Sequence, residues 1–299
     1  MTKKVKPLRG AMVAPYAPPA DANAVLAEGA KVIRYQMVDP SGAIGNASEA
    51  GYRQFIEGHL TFVDHLLAMT KADIILDLHT LPGGTRTLAN GTPRSNMFDQ
   101  DTQARGLFVD VWRRIGVRYR GQPRIIAFDV MNEPAGTKAQ VEAAYKDAIK
   151  AIRENSSTPC IVSPPFGDPT RVKAFGNYSK LKNIWVTIHM YQPMAITHQG
   201  VYTQYPDGKK FPTERWNKKA LEKVLRDFKD FMPEVPHFVG EFSISKYADV
   251  PSRVKYLQAC ISIFKSWGFS WCYHAWRESP IWNVEDVPEL MTVLRKGWK

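Results

Sequence analysis

The chain has 299 residues, 44% of them hydrophobic, enough for one large core and within the range of a single-domain α/β barrel spanning residues 1–299. Its net charge of +11 is scattered (Lys3, Lys4, Lys6; Arg113, Arg114, Arg118, Arg120; Lys218, Lys219, Lys223; Lys296, Lys299) with no basic-aromatic stripe or nucleic-acid motif, so solvated helix faces are expected in preference to an anionic partner. Cys160, Cys260 and Cys272 have neither the number nor the spacing of a disulfide framework or a zinc site and read as buried thiols, and no apolar run reaches the roughly 18 residues of a membrane span.

Short apolar strands alternate with amphipathic helices along the whole chain. In order, the patterns predict a strand at Arg9–Ala14 with a short, poorly defined segment after it, then a strand at Lys31–Met37 and a helix at Ala50–Thr70. A strand at Asp73–His79 leads to a helix at Thr102–Tyr119, and a strand at Ile125–Met131 to a helix at Thr137–Asn155. Pro159–Ser163 reads as a strand without a clear helix behind it. Ile184–Met190, His237–Phe242 and Ser270–Ala275 are strands followed by helices at Asn217–Phe231, Ser252–Trp267 and Val287–Lys296. Eight such alternations, with no Gly-rich nucleotide fingerprint after the first strand, predict a closed (β/α)8 TIM barrel over an open doubly wound sheet.

A barrel of this kind builds its site from the C-terminal ends of its strands. Those ends carry Arg34 in VIRYQM, His79 in DLH, Asn132 and Glu133 in MNEP, His189 and Tyr191 in HMY, Glu241 in VGEFS and Trp276 in CYHAW. Each has a plain structural reading: a strand arginine pairs a carboxylate, a lone histidine is more often structural than catalytic, and a Glu before Pro ends a strand. Structural need alone does not gather all of them at one end.

Two carboxyl groups flanking a bond are what glycoside hydrolysis requires. Glu133 and Glu241, from the fourth and seventh strands, are expected to face each other across the mouth. Arg34 and Tyr191 near Glu241 would favour its ionised, nucleophilic form. Glu133, beside Asn132 and near His189, would donate a proton to the leaving oxygen and then serve as base once Glu241 has become an ester. Asn132 and His79 would hold sugar hydroxyls, and Trp276 would offer a flat face to a pyranose ring.

The pieces RGAMV, VIRYQM, DLHTLPGG, FDVMNEP, HMYQP, VGEFS and CYHAW, in this order, resemble glycoside hydrolase family 5, the cellulase family of the retaining barrel superfamily. That resemblance implies Glu133 as acid/base, Glu241 as nucleophile, and substrate-binding roles for Arg34, His79, Asn132, His189, Tyr191 and Trp276. The stretch HMYQPMAITHQG resembles a bacterial endoglucanase branch, which tilts the reading to β-glucan over mannan and puts His198 and Gln199 on the rim. The short span before the second strand departs from the family and would open that side of the cleft.

The long connections Thr80–Phe98 and Tyr191–Pro212 are expected to set substrate choice, with Tyr202, Tyr205 and Trp282 as stacking platforms or as packing of the rim. No cofactor or metal is expected, because His79 and His189 lack the neighbours a metal-dependent barrel enzyme needs. A barrel that binds carbohydrate without catalysis is the other rival, disfavoured by the presence of both glutamates. The expected partner is a polysaccharide or oligosaccharide, with no nucleic acid and no membrane, and a monomer. MTKKVKPLRG lacks an apolar signal core, so either an intracellular protein or a secreted one with its leader removed is expected.

Overall fold

The computed structural model describes residues 6–83, 96–99, 102–176, 178 and 181–299. Eight parallel strands close into a barrel: β1 (Arg9–Val13), β2 (Val32–Met37), β3 (Asp73–Leu78), β4 (Ile125–Asp129), β5 (Cys160–Val162), β6 (Ile184–Met190), β7 (His237–Phe242) and β8 (Ser270–Trp276). Helices α1 (Pro19–Ala27), α2 (Glu49–Met69), α3 (Gln103–Arg118) and α4 (Lys138–Arg153) follow β1 to β4. A short α5 (Met194–Thr197) and α6 (Lys218–Asp230) follow β6, and α7 (Val250–Trp267) and α8 (Pro288–Trp298) follow β7 and β8.

The helices start where the sequence supplies caps. The side chains of Ser48, Thr102, Asn217 and Asp249 each accept a backbone N–H of the first turn, and Thr137 forms a capping box with Gln140. Behind β5 the run PPFGDPT carries too many prolines for an α-helix, and two 3-10 turns, Pro165–Gly167 and Pro169–Ala174, take its place.

Strand alternation sorts the side chains into two cores. Met12, Val32, Ile75, Ala127, Ile161, Trp185, Phe238 and Cys272 fill the inside of the barrel, while Ile33, Tyr35, Leu76, Phe128, Val186, Val239 and Tyr273 pack under the helices. Two residues further along the inward face come Arg34, Asp77, Asp129, Ser163, Thr187 and His274, so an apolar floor gives way to a polar layer beneath the mouth. Register shifts add a residue to β4, β7 and β8, and the one in β7 bears directly on the mouth. His189 pairs with Glu241 while Ile188 pairs with Val239, so Gly240 is an extra residue that turns Glu241 inward. The three cysteines are buried and free, and no helix among the described residues is long and apolar enough to cross a membrane.

Candidate active site

Arg34 of β2 is fully buried at the centre of the polar layer. Its Nε donates to Asp129 Oδ2 at 2.8 Å, Nη1 to Glu241 Oε1 at 2.8 Å and Nη2 to Asn132 Oδ1 at 3.0 Å, and Nη2 lies 3.1 Å from Asp77 Oδ1. One cation thus ties β2, β3, β4 and β7 together at the level of the mouth. A buried guanidinium needs such partners, since unpaired it would carry a large desolvation penalty. Asp129 is pushed up to about 6 by burial, with Arg34 opposing and the charge of Asp77 adding to the rise.

Asp77 reaches upward as well. Its Oδ2 lies 2.7 Å from His79 Nδ1, and His79 Nε2 lies 3.2 Å from Asn132 Nδ2. With Asn132 Oδ1 accepting from Arg34, its amide nitrogen must donate to His79, which leaves the other His79 nitrogen to donate to Asp77. This chain orients Asn132, and its second N–H has no protein partner among the described residues.

Glu241 accepts on both oxygens, from Arg34 at 2.8 Å and from the Tyr191 hydroxyl at 2.9 Å. Burial pushes its carboxyl upward, but the opposite charges of His189, His274, Arg34 and His79 outweigh burial and hold it well below the ordinary range. Arg34 is the permanent cation among them, whereas burial drives His189 itself down to about 4 and hence neutral at pH 7. Burial, reinforced by Glu241, raises Tyr191 well above the usual tyrosine value and keeps it a donor.

Glu133, one residue past Asn132 at the end of β4, adopts a left-handed backbone, φ +39°. Side chains with a Cβ rarely take that conformation, and strain of this kind collects at functional sites. Its Oε1 meets His189 Nδ1 at 2.7 Å. Glu133, His189 and Glu241 each place one polar atom so that all lie within 4.8 Å of one another. Such a trio could surround a metal ion, but Arg34 already binds Glu241 and adds positive charge beside it, which makes a poor cation cage.

Of the strand-end residues read from the sequence, the structure gathers Arg34, His79, Asn132, Glu133, His189, Tyr191 and Glu241 in one constellation. Trp276 is not part of it. Its side chain is 1% exposed and belongs to the layer under the helices, because on β8 the inward places fall to Cys272, His274 and Ala275. The open pyranose platform read into Trp276 is corrected accordingly: its ring lies in the core, and Arg277 covers it at 5.5 Å. His274 takes the inward strand-end position, its ring 6.2 Å from Tyr191 and 5.8 Å from Trp282.

Asp77, Asp129 and His274 went unread in the sequence, although a spacing of two from inward neighbours marks all three. Gln199 turns out to be a loop clamp. It bonds the backbone of Ile196 and Lys209 and so pins the connection after β6. His198 packs between Tyr191, Tyr202 and Trp282, with ring centroids 4.8, 5.8 and 5.1 Å away. Tyr202 beyond it is 50% exposed. Most of the connection Thr80–Phe98 lies outside the described residues.

A closed parallel barrel whose mouth holds two facing carboxyl groups, one of them kept ionised by arginine and tyrosine, defines a barrel glycosidase. Residues 4–279 match the family described as cellulase, glycosyl hydrolase family 5, and the chain belongs to that family. Endoglucanase C of Acetivibrio thermocellus is 24% identical over 88% of this chain and 84% of its own length. Among solved structures, Thermotoga maritima Cel5A in complex with mannotriose superposes with a TM-score of 0.78 at 18% identity, covering 97% of both chains. The cellulose synthase subunit Z of Clostridioides difficile superposes at 0.75 and 19% identity, covering 97% of this chain and 99% of that one.

Proposed function

We propose that this glycosidase is a retaining endo-β-1,4-glucanase, with Glu241 as nucleophile and Glu133 as acid/base. The observation that carries the reading is the closeness of the two glutamates, whose nearest polar atoms lie within 4.8 Å. Retaining glycosidases hold their carboxyl groups about 5–5.5 Å apart, whereas inverting ones leave roughly 6.5–9.5 Å for a water.

In this reading Glu241, held ionised by Arg34, attacks the anomeric carbon while Glu133 delivers its proton to the departing glycosidic oxygen. The glycosyl–Glu241 ester forms as the C–O bond to the leaving sugar breaks. Glu133, now a carboxylate, takes a proton from water, whose oxygen attacks the same carbon and releases Glu241. The Asn132 amide meets the sugar hydroxyl beside the anomeric carbon. Preference for β-1,4-glucan is supported by the endoglucanase relative and by the HMYQPMAITHQG stretch.

Proton NMR of the first product from a soluble cello-oligosaccharide tests the reading. Release of the β-anomer is expected, and initial release of the α-anomer would refute retention. Glu241→Ala should abolish turnover, with azide restoring part of it as the α-glycosyl azide. Reducing-end release from a panel of soluble glucans, mannan and xylan tests the substrate, and a mannan rate above the β-1,4-glucan rate would overturn the preference.

A further inference from the structure

His189 is held by two backbone segments that carry no side chain. Gly240, the extra residue of β7, lies against one edge of the imidazole, where a methyl group would sit 2.9 Å from Nε2 and 3.1 Å from Cδ2. Gly167, in the turn after β5, lies against the other edge, where a methyl group would sit 3.1 Å from Cγ and 3.2 Å from Nδ1. The same methyl would come within 3.2 Å of Glu133 Cγ. Relaxed carbon contacts need about 3.5–4.0 Å, so either methyl forces the ring or its neighbours to yield by about half an ångström.

Both segments are tethered. The Gly240 N–H donates to Thr187 Oγ1 at 3.2 Å, and the Phe166 N–H donates to Pro134 O at 3.0 Å, which joins the β5 turn to the residue after Glu133. Gly167 itself has φ +64° and Phe166 φ +62°, so the turn meets the site in a left-handed conformation. With backbone on both edges of a buried ring, the contact with room to lengthen is the 2.7 Å bond from His189 Nδ1 to Glu133 Oε1.

We propose that Gly167 and Gly240 are positioning residues that clamp His189 against Glu133 and so hold the proton donor in line with the leaving oxygen. This rests on the assignment of Glu133 as acid/base. Neither glycine touches substrate. Gly240 acts through His189, Gly167 through His189 and the Glu133 side chain it adjoins, and the damage from filling either falls on proton delivery, which matters most when the leaving group is poor. Positioned proton transfer contributes about 10²–10⁴-fold, and a donor displaced by half an ångström forfeits part of that.

The experiment compares Gly167→Ala, His189→Ala and the double variant on p-nitrophenyl and 2,4-dinitrophenyl β-cellobiosides, with urea unfolding as the check on folding. Gly167→Ala is preferred to Gly240→Ala because residue 240 adjoins Glu241. In kcat/KM, which reports the step that expels the aryl group, we expect a loss of roughly 10–100-fold on the p-nitrophenyl substrate and a much smaller one on the dinitrophenyl substrate, whose departure needs no acid. In the His189→Ala background the ring contacts are gone and the 3.2 Å contact with Glu133 Cγ remains, so adding Gly167→Ala should cost clearly less than it does in the wild type on the p-nitrophenyl substrate. Alanine at a left-handed position lowers stability in every background, but that alone does not discriminate between leaving groups. Equal losses on both substrates, or an undiminished loss in the His189→Ala background, would overturn the proposal. α-Anomer release by the wild type would instead sink the retaining reading, leaving the coupling between residues 167 and 189 to be read on its own.

Discussion

Replacing Arg34 by methionine probes how the mouth is organised. The side chain has no exposure and lies 2.8 Å from both Asp129 and Glu241, 3.0 Å from Asn132 and 3.1 Å from Asp77. Methionine fills much of the same volume, so the loss is chiefly electrostatic. Removing one partner of a buried ion pair costs about 3–5 kcal/mol, because the other charge stays behind unpaired. Here three carboxylates share the cation, and they can relieve the repulsion by binding protons.

Asp129 already stands at about 6, so the cost should be largest at pH 7 and smaller at pH 5, where a proton substitutes for the guanidinium. Glu241 also responds. A carboxylate held low in the folded state contributes stability above its unfolded value that is lost as pH falls through the folded value. Without Arg34 its folded value rises, so both that loss and the acid limb of kcat/KM move to higher pH. Urea unfolding at pH 5 and pH 7, with a pH–rate profile on an aryl cellobioside, measures both. A loss under about 1 kcal/mol at pH 7, or an acid limb that does not move, would refute the reasoning.

Tyr191→Phe removes one of the two donors to Glu241 and keeps the ring; a hydrogen bond to a charged group is worth about 1.5–3 kcal/mol, so kcat/KM should fall roughly 10–100-fold with the acid limb moved upward. For Asp129 the sign is opposite to that of Glu241: its folded value of about 6 against 3.8 makes the folded state the tighter proton binder, so stability should decline by about 2 kcal/mol as pH rises from 4 to 6. Asp129→Asn should abolish that decline in urea unfolding across the same window. Arg118, about one-third exposed and paired with Glu57 and Asp64 on α2, should change stability by less than about 1 kcal/mol on replacement by alanine, measured by the same titration.

The sequence by itself determined the architecture and most of the chemistry. Eight strands recur, seven of them followed by an α-helix, the caps at Thr102, Thr137 and Asn217 stand where helices begin, and Glu133, His189 and Glu241 sit at strand ends where a barrel puts its site. The segment after β5 showed no clear helical pattern, and two 3-10 turns stand there. What the sequence left open was which way each side chain points, because parity along a strand holds only until an extra residue interrupts it. Gly240 is such a residue, and without the bulge the strand pattern would send Glu241 toward the helices. The same accounting separates His274, which faces the mouth, from Trp276, which lies under the helices. Only the closed barrel brings Asp77, Asp129 and Glu241 onto one guanidinium, since residues on β2, β3, β4 and β7 meet through curvature of the sheet and not through any spacing along the chain.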